Sequence, residues 1–251
     1  MRKEKFIYVV LVILTFSLFF GIYLAFTGVD NRVTEEDIRY IKKILDTEKI
    51  EKFDGSQSFQ QELEFISSVQ KKILKKIPHA GGLARNQTRE PKDIYHQQRG
   101  SCFDRSRLLE KIFRARGLQT IHLAVYYTDR RSAPLALITP GSPSHAVSEV
   151  LTKKGWIIVD SNHRWLSVTN QGKTISTSRL QDLHESGAIN DITWHHNHAP
   201  DTGSGLLQKP FVAVRGLYSR HGQFYPPYDR IPDINWREIF CNTRILCYGY
   251  Q

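Results

Sequence analysis

Apolar residues follow three kinds of pattern along this chain. The first is an almost unbroken run over residues 6–27, about the length that crosses a bilayer as a helix. The second is the helical repeat. Val33 and Ile38 flank Thr34 as a hydrophobic staple flanks a cap, and Glu35, Glu36 and Asp37 follow where a helix dipole favours acid, predicting a helix that reaches about Lys52. Beyond the linker-like 54–57, the positions Phe59, Leu63, Ile66, Val69, Ile73 and Ile77 mark one face of a second helix, stopped by Pro78. Its other face carries Lys71, Lys72, Lys75 and Lys76, which reads as a solvated face. Leu108, Leu109, Ile112 and Phe113 mark a third helix that opens near Cys102 and ends at Gly117. The third pattern is the short β-branched run bounded by turn residues. Runs 121–127, 146–150 and 156–159 predict strands, and the connector of Lys153, Lys154 and Gly155 makes the last two an antiparallel hairpin.

These elements place chemistry. Cys102 falls in the first turn of its helix, where unbonded N–H groups and the positive dipole end favour the thiolate that attacks a carbonyl carbon. The hairpin sets His145, at the start of one strand, near Asp160, at the end of the next, so the acid can orient the imidazole and the imidazole can hold the thiolate. A developing oxyanion needs donors. The Cys102 N–H is one, and a side-chain amide from Gln97 or Gln98 is a candidate second. His122, inside a strand, and His163, after the aspartate, are weaker candidates for the base.

Residues Gly100, Ser101 and Cys102, the helix from Leu108 to Gly117, the string Ser144, His145 and Ala146, and the strand from Gly155 through Asp160 to Ser161 together resemble the bacterial transglutaminase-like superfamily, over roughly residues 59 to 168. The resemblance implies an α+β, papain-like core with the cysteine helix packed on an antiparallel sheet. By position it implies Cys102 as nucleophile, His145 as base and then acid, and Asp160 as orienter. Val147 stands where the family often has an aromatic residue and Ser161 where it often has proline, departures that bear on substrate contacts.

Arg2, Lys3 and Lys5 precede the apolar run, so the positive-inside bias leaves the short N-terminus in the cytoplasm and the rest outside, periplasmic in a Gram-negative cell; a cleaved signal peptide is the alternative, for which the run is long and Ala25, Phe26 and Thr27 a poor cleavage site. Expected organisation is an anchor over 1–28, a helical stalk or linker over 29–58, and a transglutaminase-like domain with a C-terminal extension over 59–251. The net charge of +10 is scattered, without a basic block, zinc-finger spacing or RNA-binding motif, so nucleic acid is not an expected partner. Expected partners are membrane lipid, through the first helix, and a protein, peptide or glycan-linked envelope substrate. Trp156, Tyr218, Arg220 and His221 are candidate substrate contacts, because aromatic faces suit peptides and sugars. Thiol chemistry requires neither metal nor cofactor. The cluster His195, His196 and His198 lacks a specific zinc spacing, though it keeps a metal-dependent hydrolase as a third reading. Cys241 and Cys247 are close enough in sequence to pair, leaving Cys102 as the odd thiol. The main alternative to a cysteine acyl-transfer enzyme, hydrolytic or amine-accepting, is a non-catalytic envelope binding module on the same fold.

Overall fold

The computed structural model describes residues 2–83, 87–129, 131–139, 141–195, 204–218 and 234–242. The apolar run forms α1 (Arg2–Thr27), in which Lys5–Tyr23 is long and apolar enough to cross a membrane and is unburied by the rest of the chain. Helix α2 (Glu35–Leu45) carries the expected cap, Asp37 N donating to Thr34 Oγ1 at 3.1 Å and Thr34 N to Asp37 Oδ2 at 2.8 Å. It stops short of Lys52 because Asp46 turns left-handed (φ 45°) and Thr47 N then bonds Lys42 O at 3.1 Å, which closes the helix. Two lysines of the next helix serve this end: Lys72 donates to Leu45 O and Lys76 pairs with Asp46.

Helix α3 (Phe59–Lys76) opens on a Ser58–Gln61 capping box and buries the predicted apolar face. A short α4 (Pro91–Gln97) precedes α5 (Cys102–Ala115), the predicted cysteine helix. Strands β1 (Thr120–Tyr127), β2 (Ser144–Thr152) and β3 (Gly155–Asp160) match the predicted runs. Between β1 and β2 lies α6 (Ala133–Ile138); after β3 come α7 (Thr177–Glu185), α8 (Gly205–Gln208), β4 (Phe211–Arg215) and α9 (Trp236–Ile239). The sheet is antiparallel throughout, in the order β3-β2-β1-β4.

Alternation along the strands gives the sheet two apolar faces. Val150, Ile157 and Val159 pack with Leu108, Ile112 and Phe113 of α5, Ile66 and Ile73 of α3, and Ile41 and Ile44 of α2. Residues expected as a stalk are therefore part of the same core. On the other face Leu123, Val125, Val147 and Ile158 meet Leu180 and Leu183 of α7 and Leu206 of α8. Full burial of each such aliphatic side chain contributes about 1.5–3 kcal/mol. The mixed helical and antiparallel architecture is the expected fold class, with the cysteine helix laid on the sheet.

Candidate active site

Cys102 owes its place to the carboxylate three positions into α5. Asp104, fully buried, accepts from Ser101 N at 2.7 Å and Leu83 N at 3.1 Å and pairs with Arg89 Nε at 3.2 Å, which pins the helix start to the loop before α4. Gly100 lets the chain pass close by: a Cβ there would stand 2.9 Å from Asp104 Cβ. The result is a half-buried free thiol at the first helical position, beside N–H groups that the helix itself does not bond.

Strand register supplies the partners. Asp160 of β3 faces Val147 of β2, and His145 lies two residues from Val147 on the same face, so the two side chains are diagonal neighbours. His145 Nε2 donates to Asp160 Oδ1 at 2.9 Å. Cys102 lies near enough to act electrostatically on His145; with Nε2 committed to Asp160, the nitrogen left to serve sulfur is Nδ1. Burial works against the imidazolium, yet the Asp160 charge and hydrogen bond, with nearby Cys102, overcome it and raise His145 to about 10. Burial likewise opposes ionised Asp160, but His145 and four further hydrogen-bond donors hold its carboxyl well below the usual range. Those donors are Asn162 N (2.7 Å), His163 N (3.2 Å), His163 Nδ1 (3.4 Å) and Ser204 Oγ (2.9 Å).

Residues 53–161 match the family model of the transglutaminase-like superfamily. The matched segment, which holds Cys102, His145 and Asp160, is similar to a transglutaminase-like core. A solved structure described provisionally as a cysteine protease from Cytophaga hutchinsonii is similar at 16% identity and TM-score 0.33, over 55% of this chain and 46% of that one. No curated protein matches the sequence.

Several residues that shape this site carried no sequence signal for it. Arg105, one turn after Cys102, donates to Ile77 O (2.7 Å), Ser161 O (3.1 Å) and Asn162 Oδ1 (3.0 Å), tying the cysteine helix to the loop that cradles Asp160. Burial lowers its pKa, opposed by the nearby charges of Cys102 and Asp160. Gln70 turns a buried amide from α3 onto the carbonyls of Asp160 (2.8 Å), His163 (3.0 Å) and Trp165 (2.9 Å). Ser204 arrives from 44 residues downstream. His79, exposed and bridged to Gly100, is lowered by partial burial and by the charges of Arg105 and His145, so a neutral imidazole borders the site.

The other sequence candidates are placed as follows. Gln97 accepts from Arg99 Nε at 2.9 Å and Gln98 donates to Tyr95 O, so both amides are engaged with near neighbours. Trp156 pairs with Leu151 at the far end of the hairpin, four residues or roughly 13 Å along β3 from Asp160. Tyr218 is buried, its hydroxyl donating to Glu110 at 2.9 Å, eight residues or about 12 Å along α5 from Cys102. The structure thus brings neither aromatic residue to the thiol. Arg220, His221, His196, His198 and Cys247 lie outside the described residues. Cys241 is disulfide-bonded and Cys102 is not. His122 is fully buried against Ser106 Oγ (3.1 Å), and burial lowers it to about 3, so it is an uncharged core residue. His163 shares the Asp160 carboxylate at its Oδ2 side. Val147 and Ser161, the two departures from the family pattern, are fully buried, and Ser161 Oγ donates to Ala146 O at 2.6 Å. Their contribution is to hold β2 and β3 together.

Proposed function

We propose that this chain is a membrane-anchored cysteine enzyme that transfers acyl groups from amide bonds, working outside the cytoplasm. The carrying observation is the hydrogen bond from His145 to the fully buried Asp160, with Cys102 at a helix start near enough to act on the histidine. The thiolate would attack the amide carbonyl carbon, and the tetrahedral oxyanion would meet the Cys102 backbone N–H. Collapse would break the C–N bond as His145 gives its proton to the leaving amine. His145 would then take a proton from water, giving hydrolysis, or from a second amine, giving cross-linking, and thiolate would depart as the new bond forms. Substrates of the expected class are proteins, peptides or glycan-linked envelope peptides. The anchor is supported by the length and apolarity of α1, and the topology by the basic residues before it.

The test is intact-mass analysis of the full chain in detergent after exposure to an electrophilic amide mimic. One adduct is expected, mapped to Cys102 and lost in His145→Ala. An adduct at another residue, or none under conditions where Cys102 alkylates freely, would remove the basis for acyl transfer.

A further inference from the structure

Helix α1 is joined to the domain without slack. Gly28, the first residue after it, is already bridged to Ile234, and Val29 N donates to Ile234 O at 2.8 Å. Arg107 of α5 then bonds Asp30 O at 2.7 Å and Asn31 Oδ1 at 2.9 Å, and Asn31 Nδ2 donates to Glu238 Oε1 at 2.6 Å. Four successive residues after the apolar run are thus fixed to the domain, two of them to the cysteine helix.

The segment that receives Gly28 continues into α9, capped by Asn235, whose Oδ1 accepts from Glu238 N at 3.1 Å. This short helix has two sides. Ile234 and Ile239 face inward and belong to the apolar cluster that includes Cys102 and Phe103. Trp236 instead meets Tyr23 of α1, ring centroids 5.9 Å apart at 65°, and Phe240 beside it (6.2 Å) is 48% exposed. Phe6 and Tyr23 are separated by about 26 Å of helix rise, close to the roughly 30 Å of a hydrocarbon core, so Tyr23 falls where a span leaves the bilayer. Tyrosine and tryptophan favour that depth, with an apolar body in lipid and a polar tip in the headgroups. Exposed Arg237 follows Trp236 directly, where a cation could meet lipid phosphates.

We propose that α9 is an interfacial docking element: Trp236 and Phe240 lie among lipid headgroups beside the exit of α1 and hold the domain against the bilayer. The partner is the lipid surface itself, and the proposal rests on α1 being a membrane span. Because the inward side of α9 packs in one cluster with Cys102, docking fixes the height of the thiol above the membrane.

The full chain would be reconstituted in phosphatidylcholine vesicles with plain or brominated acyl chains, and its tryptophan emission compared with that of Trp236→Phe. Bromine near the headgroup end of the chains is expected to abolish the emission component that distinguishes the two proteins. Phe240→Trp should add emission that the same lipid removes. Equal quenching of wild type and Trp236→Phe, in protein that stays with the vesicles through an alkaline carbonate wash, would overturn the docking proposal while leaving the span intact. Release by the wash would overturn the span and the docking with it.

Discussion

Asp160→Asn is expected to lower amide turnover by about two to four orders of magnitude while the chain stays folded. The substitution keeps the shape and one acceptor oxygen for His145 and the backbone donors, but it removes the charge that holds the imidazolium. Stability against pH supplies an independent reading. Folded His145 keeps its proton to about 10, whereas an unfolded imidazole releases it near 6.5. Between those values the folded state binds the extra proton, so the His145 contribution is complete below about pH 6.5 and is lost as pH rises toward 10. Over this window wild type should therefore lose stability more steeply than Asp160→Asn, by about 1.4 kcal/mol per pH unit, while the raised Glu238 adds the same slope to both proteins up to about pH 8. Denaturant titrations at several pH values measure both. Normal turnover with an unchanged slope would mean that another group orients the histidine.

The second large effect concerns Glu110. It is fully buried on α5 and accepts from Arg107 Nη1 at 3.0 Å, Arg114 Nε at 3.1 Å and the Tyr218 hydroxyl at 2.9 Å. Burial pushes its carboxyl up, but the two guanidinium groups hold it below the ordinary value. Its neighbour Glu238, buried and beside the Glu110 charge, is raised to about 8. Truncating one member of such a network leaves buried charges without partners, which costs about 3–5 kcal/mol. Glu110→Ala should lower the unfolding free energy by that amount, and it should loosen the residues after α1 because Arg107 also holds Asp30 and Asn31. Asp182→Ala is the control: its pairing with Arg179 is 3.9 Å long between exposed side chains, so no measurable change is expected. Equal unfolding midpoints for the two variants would show that the network contributes little.

Periodicity was a good guide where each element has one dominant apolar face. The second and third amphipathic helices and three strands follow from such faces, and the placement of His145 beside Asp160 follows from the hairpin register. Strand β4 was not legible. Its five residues are too few to establish a period, and the strand exists because β1 offers an edge across from Val125 and Tyr126. Tyr218 misled for a related reason: an aromatic residue in a polar stretch reads the same whether it meets substrate or stacks in the interior, and its stacking on His122 at 4.2 Å is a tertiary fact. Ser204 and Arg105 reach the site through contacts 44 and 56 residues away in sequence, and no local pattern encodes those. Gln70 is the intermediate case. A polar residue set in the apolar stripe of α3 marks a buried partner without naming it.

The central claim is that His145 holds Cys102 ready as a thiolate, and the rate of Cys102 alkylation by iodoacetamide against pH tests it most directly. In wild type the rate should be high, because the imidazolium and the helix start support the charged sulfur together. In His145→Ala the rate at the same pH should be far lower. Superimposable profiles for the two proteins would mean that no such pair exists, and that Cys102 is an ordinary cysteine at the start of a helix.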